Sequence, residues 1–283
     1  MATFTNQATL TYNGVTTTSN IATGEILESL AVTKTAVGDG YAPGEDVTYI
    51  ISISNTGTAP LSGLTVTDDL GAYESGDLTL YPLEYVPNTI QYYVNDQRQP
   101  APSVTAGPPL TVTGIAIPAG GSVMLIYEAM ATEFAPPAAG NTVTNTVSVT
   151  GAGRATPVTA SFSAAVAAEP VLSLNKSVSP AVVSENGQLT YTLTLMNTGN
   201  AEAGADAEAV ITDTFDPILT GVTVTYNSTP WTGSEYTYSE ATGLLTTAAG
   251  AVTVPAATFA QDPDTGAWIT TPGVAVLTIT GTI

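Results

Sequence analysis

The chain carries four basic residues, Lys34, Arg98, Arg154 and Lys176, and both lysines occupy equivalent places in an internal repeat. Leu30, Val32 and Lys34 alternate, as do Leu172, Leu174 and Lys176, so on strands each lysine shares a face with apolar neighbours. The same alternation puts Leu64, Val66 and Asp68 on one face, and Ile211 with Asp213. Val143, Asn145, Val147 and Val149 share a face, as do Phe4, Asn6, Ala8, Leu10 and Tyr12 at the N-terminus. A core-facing lysine loses the solvation of its charge, so its pKa falls and its amine becomes nucleophilic. A buried aspartate tends toward its protonated form, which can polarise an amide carbonyl and shuttle protons. A neutral amine held against an asparagine carboxamide can attack it and expel ammonia, leaving a Lys–Asn isopeptide bond. The plainer alternatives are a lysine that snorkels to water or pairs with aspartate, and asparagines bonded to backbone at a bulge.

The elements that would position these residues are strands. Short alternating runs such as Val47–Ile53 and Val123–Ala129 are separated by turn residues, with 26 Gly and 19 Pro throughout. No amphipathic helix is evident, and the Ala/Glu-rich stretch 201–209 is interrupted by Gly204. The fold class expected is all-β, as two tandem Ig-like β-sandwiches. Leu30–Thr35 matches Leu172–Ser177, Val47-Thr48-Tyr49 matches Leu189-Thr190-Tyr191, and Asn55-Thr56-Gly57 matches Asn197-Thr198-Gly199. Lys34 stands as far from Asn55 as Lys176 does from Asn197, and Val66-Thr67-Asp68 matches Ile211-Thr212-Asp213. Asn55 and Asn197 are expected to cap turns, and Asp262–Gly266 to be a turn rather than a calcium loop. Tyr81, Tyr85, Tyr92 and Tyr93 are expected in core and edge packing rather than on a sugar-binding face.

Composition narrows the function classes. Of 283 residues, 43% are hydrophobic and 10% charged, with a net charge of −20. Such a surface repels nucleic acid and anionic lipid, so neither is expected as a partner. The chain has neither Cys nor His, which excludes disulfides, Cys or His metal sites and Ser-His or Cys-His catalysis. No cofactor and no metal are expected, no membrane insertion, and no secretion signal or wall anchor is visible. A hydrolase would need paired acids in a cleft, and no such pair is evident.

Two hairpins organise the chain. Thr144–Thr150, then Gly151-Ala152-Gly153, then Ala155–Ser163 reads as a hairpin that closes the first sandwich. The same pattern opens the chain, as Thr5–Thr11, then Asn13-Gly14, then Val15–Ala22. A counterpart of Asn145 in the second repeat falls past residue 283, so the second sandwich is expected to stop short of its closing hairpin. The linker from Gly24 to Ser29 spans at most ~20 Å, whereas a sandwich is about 33 Å long, so the hairpin reaches a neighbouring subunit more readily than its own second sandwich. The organisation expected is a donor hairpin over 1–24, a first sandwich over 25–168 and a second over 169–283. Strand addition of this kind is heterologous and builds an open fibre, a homopolymer.

The Lys-Thr or Lys-Ser strand, the Tyr run before Asn-Thr-Gly, Val/Ile-Thr-Asp and the final Thr-Asn-Thr-Val strand resemble the tandem conserved-repeat Ig-like domains of bacterial and archaeal surface proteins. The Lys, Asp and Asn arrangement is also similar to the self-crosslinking Ig-like domains of pilins and collagen adhesins. The resemblance implies an extracellular or cell-surface location and a structural role. Carried over by position, it implies a bond between Lys34 and Asn145 promoted by Asp68. It also implies one between Lys176 and Asn6 of the next subunit, promoted by Asp213. The function expected is a head-to-tail filament subunit whose chemistry is single-turnover rather than enzymatic. The alternative is an adhesin or spacer module of a larger surface protein, monomeric in isolation.

Overall fold

The computed structural model describes residues 2–26, 29–38, 40–154 and 156–283, and it is all-β, in two Ig-like sandwiches preceded by a hairpin arm. The first sandwich is built on strands whose alternate residues face inward. Val47, Tyr49, Ile51, Ile53 and Asn55 of the strand Asp46–Asn55 are buried, and the residues between them are wetter. That tyrosine strand pairs antiparallel with the lysine strand Leu30–Ala36 on one side and with Ser122–Ala131 on the other. Gln91–Val94 and Gln97–Gln99 extend the sheet beyond Ser122–Ala131. The facing sheet runs Ser103–Thr105, Leu110–Ile117, the aspartate strand Leu61–Asp68, Thr142–Thr150, Val158–Val166, then Gly40–Tyr41. Gly114, at a positive φ of 81°, sits where the register between Leu110–Ile117 and the aspartate strand shifts, which is the bulge glycine tolerates best. The interior is one apolar cluster around Ile51, Leu64, Ile115, Leu125 and Val147.

The second sandwich repeats the first sheet. Its lysine strand Leu172–Ser179 pairs with the tyrosine strand Gln188–Asn197, which pairs with Gly273–Thr282. Its aspartate strand is short, Thr212–Thr214, and pairs with Leu244–Thr247 alone among the described residues. In the first sandwich the aspartate strand has a neighbour on both edges, Leu110–Ile117 and the closing strand Thr142–Thr150.

The two sandwiches meet through specific bonds. Trp268, on the hairpin Thr258–Gln261/Trp268–Thr271, donates its backbone N–H to the Glu133 carbonyl at 3.0 Å. Gln261 Nε2 donates to the Tyr73 hydroxyl at 2.9 Å, and Asn200 Nδ2 donates to the Pro137 and Ala167 carbonyls at 2.8 Å. Asn55 and Asn197 cap turns as expected, each accepting from the glycine two positions on. Asp262 Oδ1 accepts from the N–H groups of Asp264 and Thr265, which closes that turn. Tyr85 lies in the core, while Tyr92 is half-buried at the sheet edge.

The arm is a two-part hairpin. Ala2–Asn6 pairs with Ala22–Ile26, and Thr9–Tyr12 pairs with Val15–Thr18 around Asn13-Gly14, both at positive φ. Its return strand therefore runs to Ile26, past the expected end at Ala22, and shortens the connection to the first sandwich. Among the described residues the arm's strands pair only with each other.

Candidate functional site

Lys34, Asp68 and Asn145 come from three strands and are all buried inside the first sandwich. Inward alternation brings Lys34 from the lysine strand and Asp68 from the end of the aspartate strand. The Lys34 ammonium donates to Asp68 Oδ2, and both side chains are sealed from water at 0% and 1% exposure. Asp68 Oδ1 accepts the Leu70 N–H at 3.1 Å, which fixes the carboxylate from behind. Desolvation pulls the Lys34 pKa below its ordinary 10.5 against the opposing pull of Asp68. Rings line the pocket, with Tyr49 centred 4.7 Å and Tyr127 5.9 Å from Lys34 Nζ.

Asn145 enters from the closing strand, which lies against the aspartate strand with Val147 opposite Asp68. Asp69 fastens that strand, its Oδ1 accepting the Thr146 N–H at 2.8 Å. Asn145 is wholly buried, beside the Tyr49 and Tyr127 hydroxyls and close enough to act on both. Neither its Nδ2 nor its Oδ1, however, makes a hydrogen bond of normal geometry. Leaving such groups unmade costs roughly 1–3 kcal/mol each. The partner strand Val158–Val166 packs over the lysine strand, and its Phe162, opposite Asn145, meets Tyr49 edge-on at 6.3 Å.

The second sandwich holds the same pair without that cover. Lys176 Nζ lies 2.5 Å from Asp213 Oδ2, with the side chains 38% and 13% exposed. Tyr191 and Phe215 rings flank Lys176 at 4.5 and 5.1 Å. The lysine strand here is exposed along its whole length, with Leu172, Leu174 and Val178 in the open. Asn6 is exposed on the arm, whose Leu10, Tyr12 and Val15 are 65%, 73% and 71% exposed. The structure thus pairs Lys34 with Asp68 and buries Asn145 in the same core, pairs Lys176 with Asp213, and places Asn6 on the separate arm. Sequence reasoning passed over Tyr127, although its place in the alternating run Val123, Leu125, Tyr127, Ala129 marks it as an inward phenol.

No family model matches this chain, and no curated protein matches it. Among solved structures it is similar to the pilus backbone of Streptococcus pneumoniae, with 13% identity over 87% of this chain and 55% of that one and a TM-score of 0.36. It is similar to the full-length major pilin SpaD from Corynebacterium diphtheriae, with 13% identity over 60% of this chain and 47% of that one and a TM-score of 0.35. It is also similar to a collagen-binding domain from a Staphylococcus aureus adhesin, with 14% identity over 48% of this chain and 95% of that one and a TM-score of 0.29.

Proposed function

We propose that this chain is the subunit of an extracellular filament that grows head to tail, each arm completing the second sandwich of the next subunit. Isopeptide bonds join Lys34 to Asn145 within a subunit and Lys176 to Asn6 between subunits. The observation that carries this reading is the contrast between the two lysine–aspartate pairs. One is sealed beneath a Thr-Asn-Thr hairpin, and the other is open where such a hairpin would lie.

The first sandwich supplies the register. Val147 stands opposite Asp68 and Val149 opposite Val66, so the repeat puts Ala8 opposite Asp213 and Leu10 opposite Ile211. Asn6 then occupies the place of Asn145. Docking would bury Phe4, Leu10, Tyr12 and Val15, worth on the order of 1.5–3 kcal/mol each. Association itself costs about 4–15 kcal/mol, so docking alone is modest and reversible, and the covalent bond is what makes it permanent. The orphaned carboxamide of Asn145 supports the chemistry, since the reaction removes its nitrogen as ammonia and converts its buried polar ends into an amide.

Intact mass and a boiled denaturing gel test both bonds. The monomer is expected one ammonia lighter than its sequence, beneath a ladder of multimers that survives boiling. Asn6→Ala and Lys176→Ala are each expected to lose the ladder and keep the internal mass loss. Full mass and a single band would remove the covalent reading, and an absence of filaments in undenatured samples would leave a monomeric adhesin or spacer module.

A further inference from the structure

The two lysine–aspartate sites are not copies of each other. In the first, the Tyr127 hydroxyl donates to Asp68 Oδ2 at 2.5 Å and accepts from Lys34 Nζ at 3.2 Å, bridging the two reacting groups from the side of Asn145. Tyr127 pairs in register with Tyr49. In the second sandwich the repeat equivalent of Tyr49 is Tyr191, and the residue in register with it is Ile279. An apolar side chain therefore stands where the first site has a phenol.

We propose that Tyr127 is a positioning residue for bond formation at Lys34, and that the interchain site at Lys176 works without such a group and closes more slowly. This rests on the crosslinking reading above. Lys34 gives up two protons, one to Asp68 and one to the departing nitrogen of Asn145. The amine adds to Asn145 Cγ, the Cγ–Nδ2 bond breaks, and the products are an amide, ammonia and a protonated Asp68. An amine that has passed its first proton to Asp68 could rotate freely on its long stem. A remaining N–H donated to Tyr127 holds it, and with it the lone pair, while the phenol O–H holds Asp68. Loss of such alignment costs reaction rate even where every reactant remains. The order of bonds follows from this, with each subunit sealed internally before it is joined to its neighbour.

Tyr127 also leaves a mark on the pH profile. The groups facing it are Lys34 and Asp68 with the phenols of Tyr49 and Tyr85. Its hydroxyl donates to the Asp68 carboxylate and accepts from Lys34 Nζ, so its removal disturbs both partners of the proton transfer. The full chain, made by cell-free synthesis, arrested and shifted to a pH series, is followed by intact mass and by boiled gel. Tyr127→Phe is expected to slow the internal ammonia loss by about tenfold and to alter the shape of its pH profile. Ile279→Tyr is expected to speed appearance of the boil-resistant ladder while leaving the internal loss alone. An unchanged rate and unchanged profile in Tyr127→Phe, or an unchanged ladder in Ile279→Tyr, overturns the assignment with the crosslinks intact. Full mass in the unaltered chain at every pH overturns the crosslinking reading itself, and this assignment with it.

Discussion

Lys34 is a charged side chain held in an apolar interior. Its ammonium is sealed from solvent, with one carboxylate and two aromatic rings around it. Burial lowers its pKa, so between that lowered value and 10.5 the unfolded chain binds a proton that the folded chain does not. Stability must therefore rise with pH across that window and flatten above 10.5. In the proposed amide Lys34 would no longer titrate, so the effect is to be read with that bond blocked. Asn145→Ala provides the background, and Asn145→Ala with Lys34→Met removes the amine. Tyr41, whose pKa burial pushes up to about 12, and Tyr49 and Tyr127, also pushed up, are common to both proteins and cancel in the comparison. The first variant is expected to gain stability relative to the second as the pH is raised from about 7 toward 10 in urea melts. A gap that stays constant would mean that the Lys34 amine is not desolvated, and nucleophilic attack at neutral pH would lose its basis.

At the scale of elements, the arm is a hairpin that makes no sheet with the rest of its own chain among the described residues. A lone two-stranded hairpin is marginal in water, and this one exposes Leu10, Tyr12 and Val15. Leu10→Asp separates its two roles. On the free subunit Leu10 is exposed, so the melting temperature and the internal ammonia loss are expected to stay as they are. In the proposed register the new carboxylate faces Ile211 without a partner, which is costly to bury, and filaments are expected to vanish from electron micrographs. Filaments of Leu10→Asp at the usual protein concentration would sink the docking register. Much of this was legible in advance, because alternation alone put Lys34, Asp68 and Asn145 inward, and Asn13-Gly14 marked its turn. Less legible were strand limits in Thr-rich, wet stretches. The return strand of the arm runs on to Ile26 through Ala22-Thr23-Gly24, which carries little contrast between faces to fix its end, and the covering strand begins at Val158, while the expected start at Ala155 lies outside the described residues. Tyr127 was hidden for another reason. Its register partner is set by a strand pairing distant in sequence, which no local spacing reveals.

At the scale of the whole molecule, the joint between sandwiches and the charge of the surface decide how subunits behave together. Hydrogen bonds through Trp268, Gln261 and Asn200 tie the second sandwich to the first, so the two sandwiches brace each other. The proposed contact joins different surfaces of identical subunits, which builds an open filament when the rotation between neighbours does not close into a ring. Each subunit also brings a net charge of −20 to that contact. Like-charged bodies repel at long range, and salt screens the repulsion, with a Debye length of about 30 Å at 0.01 M falling to about 8 Å at 0.15 M. The proposed docking would bury apolar side chains and leave in place a lysine–aspartate pair that is already formed, so salt would have little attraction to weaken. Filament growth, followed by light scattering, is therefore expected to accelerate as sodium chloride is raised between those two concentrations. The internal ammonia loss, which takes place behind a sealed wall, is expected to keep its rate. Growth that slowed with salt would mean that attraction between opposite charges drives the encounter. That result would be hard to reconcile with a chain of four basic and 24 acidic residues docking through a Thr-rich, apolar-faced arm.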